Sequence, residues 1–297
     1  MREQLKEIFK NRRFKQVLRL VLGIVAIGII VYKVDLPKAW NYVAEANGLY
    51  LFLALLSFFT SRFFAAFRIN ELYRTQELWI SQLLNLKLYF LAMFYNLFIP
   101  LVGGEGFKAI WLNKRYKTKY KTLVSSAFLD RLSGVALLAV LSIIYAVWSS
   151  LKFPFNKNWL FVLIPVIFIG HLVFMKLLFK TFTSSWLRIN MHSLIIQLLQ
   201  VATTYFILVA LGVTDQINDY LFIFLLSSFA FVLPMIGARE MAFVFGAESL
   251  GLNIELSLAV SVLFYLCTAI NSLMGSYFLL FPQKLETREA ELGEKSY

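Results

Sequence analysis

The chain has 297 residues, of which 60% are hydrophobic and only 15% are charged, and its mean hydropathy is +0.71. This composition excludes a soluble globular domain, because so apolar a surface requires lipid as its solvent. The formal net charge of +12 does not indicate a nucleic-acid partner, because the basic residues cluster at the ends of apolar segments. We therefore predict an all-α polytopic membrane protein.

The chain opens with a basic segment, residues 1–16, whose pattern predicts an amphipathic helix. Leu5, Ile8 and Phe9 share one helical face, and the other face carries Lys6, Lys10, Arg12 and Arg13. Such a helix suits an anionic cytoplasmic leaflet. A simple topology anchor is the alternative interpretation.

Six apolar stretches are long enough to cross a hydrocarbon core of ~30 Å at about 1.5 Å per helical residue. They are residues 17–34, 49–67, 123–148, 159–179, 194–211 and 256–281. No small-residue cleavage site follows the first stretch, so we expect it to remain in the mature chain. Cys267 is the only cysteine, which excludes an internal disulfide.

Two further apolar stretches, residues 88–102 and 220–236, are shorter, and each runs into a Pro-x-x-Gly sequence. The positive-inside rule places the N-terminal segment in the cytoplasm. If residues 88–102 crossed fully, the basic sequence KRYKTKYK, residues 114–121, would then lie outside. A re-entrant hairpin that enters near residue 82 and returns as a helix over 105–112 removes this conflict.

The same rule assigns Arg62, Arg68 and Arg74 to the cytoplasmic end of the second span. The rule also predicts that the second hairpin enters the membrane from the outside and returns to the outside. The order span, span, hairpin, span then occurs twice with opposite orientation, which indicates an inverted-topology repeat.

We therefore predict six full spans plus two opposed re-entrant hairpins, and the alternative is eight full spans. The predicted first repeat covers residues 17–148, the second 149–281, and a cytoplasmic tail 282–297. The predicted location is the plasma (inner) membrane, with a cytoplasmic N-terminus.

The two breaks predict a cavity, because interrupted backbone at membrane depth is tolerated only inside protein or beside water. Proline removes a backbone donor, and glycine permits sharp turns. The candidate hinges for alternating access are Pro100, Gly103, Gly104, Pro234 and Gly237.

Charged residues follow the first break. Glu105 is predicted at the N-terminus of the returning helix, where the helix dipole favours an anion. It either stabilises its own helix or binds a cation or a proton. Lys108, one turn further on, is a candidate contact for an anionic head group.

Charges also lie in the next span and after the second break. Asp130 and Arg131 lie in an apolar span, where each charge costs roughly 2.5–3.5 kcal/mol unless it is paired or faces water. They either contact a ligand or extend toward the nearby cytoplasmic surface. Neighbours on a helix point about 100° apart, so adjacency alone does not let Asp130 neutralise Arg131. Arg239 and Glu240 follow the second break, as Glu105 and Lys108 follow the first, and they are candidate ligand contacts as well.

No catalytic motif for nucleotide, metalloprotease or serine-hydrolase chemistry is found in the chain. His171 and His192 have no carboxylate or cysteine neighbours at ligand spacing. We predict no enzymatic activity, no metal and no cofactor.

Four stretches carry a family resemblance, namely SRFFAAFRINELY, NLFIPLVGGEGFKAIWL, SSAFLDRLSGVALL and FVLPMIGAREMAFVFGAESLGL. Their order and spacing resemble the lysylphosphatidylglycerol-synthase transmembrane-region family. That family includes the flippase-like half of multiple-peptide-resistance factors and stand-alone membrane proteins. Its best-matched positions fall on Asn96, Pro100, Gly103, Glu105, Lys108, Asp130 and Arg131.

The chain departs from the family pattern at two positions. Lys108 stands where an arginine is usual, which keeps the charge but loses the bidentate fork. Leu266 follows Tyr265 where many members carry an arginine after an aromatic residue.

The resemblance implies lipid handling. We expect a flippase-like transporter that translocates or binds an anionic phospholipid or a polyprenyl-phosphate-linked lipid, with Lys108, Arg131 and Arg239 at the head group. A membrane scaffold or accessory subunit for a lipid-modifying transferase is the first alternative, and a small-solute transporter is the second.

Overall fold

The computed structural model describes residues 32, 35–98, 103–232 and 237–285, and the regular structure of these residues is helical, without strands. The α-helices are α1 (Leu36–Ala44), α2 (Gly48–Arg74), α3 (Gln82–Phe98), α4 (Gly103–Tyr116), α5 (Tyr120–Trp148), α6 (Leu163–Leu178), α7 (Trp186–Ala210), α8 (Ile217–Ser228), α9 (Ala238–Leu250), α10 (Ile254–Leu273) and α11 (Ser276–Leu280). Short 3₁₀ helices cover Lys157–Val162, Lys180–Ser185, Phe229–Val232 and Pro282–Lys284.

Asparagine and aspartate side chains start several of these helices. The Asn47 side chain accepts the backbone N–H of Leu49 at 3.0 Å, which satisfies one of the exposed donors in the first turn of α2. The Asn47 backbone N–H donates to the Ala210 carbonyl at 2.8 Å, so the start of α2 is fastened to the end of α7. Asn253 caps α10 in the same way, accepting from the Leu256 N–H at 2.8 Å.

Five helical segments of the described chain are long and apolar enough to cross a membrane, and they coincide with five of the six predicted spans. These segments are Gly48–Arg74, Tyr120–Trp148, Lys157–Leu178, Lys180–Ala210 and Ile254–Leu280. The predicted first span, residues 17–34, lies outside the described residues except for Tyr32, as does the basic segment 1–16.

Two pairs of shorter helices occupy the positions of the predicted hairpins. Helices α3 and α4 have 17 and 14 residues and pack against each other, and so do α8 and α9 with 12 and 13 residues. At about 1.5 Å per residue, none of the four covers a ~30 Å core. The helix predicted over 105–112 extends further in both directions, from Gly103 to Tyr116.

Glycine permits close contact within each pair. A side chain at Gly104 would overlap the backbone carbonyl of Ala92 in α3. A β-carbon at Gly246 in α9 would lie 2.9 Å from the Ile223 side chain in α8. Each pair is therefore held together by close helix packing.

The two halves of the chain interlock. The long helices α2 and α7, one from each predicted repeat, pack against each other more extensively than any other pair. Helix α3 of the first pair packs on α10 in the second half, and α8 of the second pair packs on α5 in the first half. Each short pair therefore contacts the last span of the opposite half.

Candidate functional site

A buried ion pair lies in the first turns of α4. The Lys108 ammonium is 3.0 Å from the Glu105 carboxylate, and Lys108 is buried whereas Glu105 is half-buried. The ammonium also lies 5.4 Å from the centroid of the Tyr89 ring in α3. The Asn96 side chain accepts the Gly104 N–H at 2.9 Å, which ties the start of α4 to α3. Glu105 therefore has two effects, because it stabilises the helix start and compensates the charge of Lys108.

A second ion pair joins α2 to α5. Arg68 donates to Asp130 through Nε at 2.7 Å and through Nη2 at 2.9 Å, a bidentate geometry. Its Nη1 donates to the Ser193 hydroxyl in α7 at 2.9 Å. Gly134, one turn beyond Asp130, gives the guanidinium room, because a β-carbon there would lie 3.3 Å from Nη1. The partner of Asp130 thus comes from another helix, and its neighbour Arg131 is half-buried.

Two of the three arginines expected at the cytoplasmic end of α2 have buried groups and are not simple surface charges. Arg68 is only 7% exposed, and Arg62 lies near the middle of the helix with its Nη2 buried. Only Arg74 lies in the last turn, close to Glu71 and partly exposed. The positive-inside rule counts charges by their position in sequence and takes no account of partners inside the bundle.

Arg62 is incompletely paired within the described chain. Its Nε donates to the Ser61 hydroxyl at 2.9 Å, and its guanidinium carbon lies 4.3 Å from the centroid of the Phe58 ring. Its Nη2 is buried without an acceptor among the residues that the structure describes. Its electrostatic neighbours are Tyr89 in α3, Arg68 and Asp130, and the Tyr89 hydroxyl is also a hydrogen-bonding neighbour of the guanidinium. Arg62 therefore adds a positive charge beside an ion pair that is already balanced.

Arg239, in the first turn of α9, has similar surroundings. Its guanidinium carbon lies 4.1 Å from the Phe264 ring centroid, and its Nη2 donates to the Ser228 hydroxyl at 3.3 Å. Its Nε is buried and has no acceptor in the described ranges. The neighbouring Glu240 accepts from the Ser261 hydroxyl at 3.5 Å.

An aromatic pair connects these two arginines. The rings of Phe58 and Phe264 meet edge to face with their centroids 5.5 Å apart. Arg62 lies over the first ring and Arg239 over the second. The structure therefore brings a guanidinium from each half of the chain to one aromatic contact, and we call Arg62, Phe58, Phe264 and Arg239 the arginine cluster.

The candidate hinge residues differ in what surrounds them. Gly237 has φ of 82°, a left-handed conformation that favours glycine, and it immediately precedes α9. Gly103 and Gly104 are the first residues of α4. Pro100 and Pro234 lie outside the described residues.

Taken together, these helices and charges define a multi-pass helical membrane protein with basic side chains inside its bundle. The chain belongs to the lysylphosphatidylglycerol synthase transmembrane-region family, because the family model, described as Lysylphosphatidylglycerol synthase TM region, matches residues 16–183. The matched part contains Glu105, Lys108, Asp130 and Arg131, whereas Arg239 lies beyond it. No curated protein and no solved structure matches the chain.

Sequence reasoning missed Arg62 and Arg68 as site residues. Arg62 lies inside the predicted span 49–67, and the same insertion cost that singled out Asp130 and Arg131 applies to it. The cost of inserting a charge into the membrane was therefore the sequence signal that could have identified Arg62. The partner of Arg68, 62 residues further along the chain, had no local signal.

Proposed function

We propose that the protein is a flippase-like lipid transporter of the plasma membrane that binds the anionic head group of a phospholipid or polyprenyl-phosphate lipid at the arginine cluster. The observation that carries this proposal is the pair of guanidinium groups, Arg62 and Arg239, each with a buried N–H that has no acceptor in the described chain. A buried donor without an acceptor is costly, and more so on a charged group. A phosphate oxygen satisfies such donors, and phosphate is common to the candidate lipids.

Supporting roles in this proposal fall to Lys108, to Arg131 and to the carboxylates of Glu105, Asp130 and Glu240. The charge of Lys108 is compensated by Glu105, and that of Arg68 by Asp130. We propose that these pairs fix the helices around the head group, with Glu240 beside Arg239. The protein performs no chemistry of its own in this scheme.

Two features favour a lipid over a soluble anion. The family is defined by the membrane region of a lipid-modifying synthase, and the chain belongs to it. The arginine cluster includes residues of α2 and α10, two helices that are long and apolar enough to cross a membrane. A lipid can present a phosphate there while its acyl chains stay in the bilayer.

Transport is supported by the arrangement of the short helix pairs. We propose that α3–α4 and α8–α9 are opposed re-entrant hairpins of an inverted repeat, with the N-terminus cytoplasmic. Each pair packs on the last span of the opposite half, and the equivalent helices α2 and α7 pack along each other, an arrangement that a pseudo-twofold axis between the two halves would produce. The breaks at Pro100–Gly104 and Pro234–Gly237 then act as hinges for alternating access.

The binding step is tested by native mass spectrometry of the purified protein with a short-chain anionic phospholipid. We expect Arg62→Gln and Arg239→Gln each to weaken binding by at least ~1.5 kcal/mol, about tenfold, because each removes a charged donor. The control is Arg188→Gln, since the Arg188 side chain is 67% exposed and pairs with Glu71 at the surface. Unchanged binding by the Arg62/Arg239 double variant would contradict the proposal and favour the scaffold alternative.

A further inference from the structure

An apolar groove lies on the surface of the described chain between α2, α3 and the α10–α11 corner, beside the arginine cluster. One cavity of about 350 Å³ and another of about 240 Å³ share Phe59 and Met274 in their linings, so the two adjoin each other. The first is lined chiefly by aromatic and aliphatic side chains and includes Lys87, and the second extends along α2 to Phe52. The larger volume falls in the usual ~300–1,000 Å³ range of ligand pockets.

The length of this groove matches one leaflet of a bilayer. It follows α2 from Phe63 to Phe52. Eleven helical residues rise about 16 Å, which is about half of a ~30 Å hydrocarbon core. An extended acyl chain from one leaflet therefore fits along it.

A positive charge marks one end of the groove. The Lys87 ammonium donates to the Lys284 carbonyl at 2.7 Å, at the C-terminal limit of the described chain. An ammonium has three donors, so two are left for another acceptor. The proposed orientation puts Lys284 at the cytoplasmic surface, where a phosphate of the inner leaflet lies.

The corner between α10 and α11 gives the groove its shape. Helix α10 ends at Leu273 and α11 begins at Ser276, with Gly275 between them. A β-carbon at Gly275 would overlap the Phe90 carbonyl and lie 2.8 Å from the β-carbon of Phe94. This contact holds the corner against α3, and the adjoining space is open among the residues that the structure describes.

One aromatic layer separates the groove from the arginine cluster. Phe59 lies 4.8 Å from Phe63 and 5.7 Å from Phe90, measured between ring centroids. Phe58 and Arg62 occupy the neighbouring face of α2, one residue before Phe59 and Phe63 respectively. The same stretch of α2 therefore presents aromatic rings to the groove and a guanidinium to the interior.

We propose that this groove binds an acyl chain of a phospholipid from the cytoplasmic leaflet, with the lipid phosphate at Lys87, and that it gives lateral access to the arginine cluster. This inference rests on the proposed function and its orientation. It assigns the groove to a membrane lipid because an apolar channel of leaflet length with a cation at its surface end complements that ligand in shape, polarity and charge.

The test uses the full chain in nanodiscs that contain an anionic phospholipid with a photoreactive group midway along one acyl chain. After irradiation, mass spectrometry should find the lipid attached to peptides that contain Phe59 and Met274. Leu86→Trp, which fills the groove, should abolish this labelling. Val166→Trp, which adds the same ring to the exposed surface of α6, should leave it unchanged.

The phosphate contact is tested with Lys87→Gln in the same experiment. An ion pair between the half-exposed Lys87 ammonium and a lipid phosphate contributes about 1 kcal/mol, which corresponds to about a fivefold change in affinity. Labelling by the anionic lipid at low lipid concentration should therefore fall about fivefold. A zwitterionic lipid with the same chain should lose less. Lys176→Gln, at an exposed position on α6, is the matched control.

Two results would overturn the inference. One is labelling spread evenly over the lipid-facing helices. The other is a disulfide between a cysteine at Met274 and a cysteine placed in residues 17–34, since the chain itself would then fill the groove. The arginine-dependent binding of a short-chain lipid is a separate measurement. The groove proposal can therefore be refuted while the proposed function stands, and the proposed function can be refuted while the groove proposal stands.

Discussion

Replacing Asp130 by alanine should destabilise the protein strongly, because the carboxylate is structural. It accepts two hydrogen bonds from Arg68, and the two side chains are 16% and 8% exposed. The variant leaves the Arg68 guanidinium buried with Ser193 as its remaining partner. The loss therefore includes the cost of an uncompensated buried charge as well as the loss of the pair itself.

The expected magnitude follows from this burial. Removing one partner of a buried ion pair costs about 3–5 kcal/mol, whereas exposed pairs contribute about 0–1 kcal/mol. The matched comparison is Glu71→Ala on the same helix α2, because Glu71 is buried to the same degree at 15% exposed, whereas its partners Arg188 and Arg74 are 67% and 43% exposed and keep their contact with water when the carboxylate is removed. Glu71→Ala should therefore cost less than about 1 kcal/mol.

The assay is unfolding by a denaturing detergent in mixed micelles, monitored by tryptophan fluorescence. Asp130→Ala should unfold at markedly lower denaturant fraction than Glu71→Ala. The double variant Arg68→Met/Asp130→Leu should recover most of the loss, because it removes both charges and keeps the volume. If Asp130→Ala were as mild as Glu71→Ala, Asp130 would not hold the helices together and would return to being a candidate ligand residue.

Three further outcomes are expected. Gly104→Val should disrupt the α3–α4 pair and lower stability by more than 1 kcal/mol, about the low end for overpacking, because its side chain would overlap the Ala92 carbonyl; an unchanged unfolding curve would refute this. Lys108→Met should be milder than Glu105→Ala in the same unfolding assay, because the second variant leaves a buried ammonium uncompensated, and the reverse order would be inconsistent with the pair. A cysteine at the exposed Arg115, in a Cys267→Ser background, should react with a membrane-impermeant reagent only from the cytoplasm, and labelling from outside would exclude a re-entrant α3–α4 hairpin.

The long helices could be predicted from the sequence because length and apolarity are local properties. Residues 49–67 and 123–148, for example, became the interiors of α2 and α5 with only their ends extended. The helix pair around Pro100 was predicted from its Pro and Gly residues for the same reason. Helix α2 also includes the mostly polar segment 68–74 and is capped at its start by Asn47, and hydropathy detects neither feature.

The partners of the charged residues could not be predicted, because they are fixed by tertiary packing. Asp130 was recognised as an intramembrane charge, but its partner Arg68 lies on a helix 62 residues away. Arg62 was assigned to the cytoplasmic end of its span, and nothing in the sequence indicated that its guanidinium lies over Phe58. The groove depends on how the corner at Gly275 approaches α3, and no single segment encodes that distance.

The most direct test of the account is lipid movement in sealed proteoliposomes. A fluorescent short-chain anionic phospholipid placed in one leaflet should equilibrate faster with the wild-type protein than in empty vesicles. Arg62→Gln/Arg239→Gln should return the rate to that of empty vesicles, whereas Arg188→Gln should keep the wild-type rate. Movement by the double arginine variant at the wild-type rate, or no acceleration by the wild-type protein itself, would contradict the proposal that the arginine cluster carries a lipid head group across the membrane.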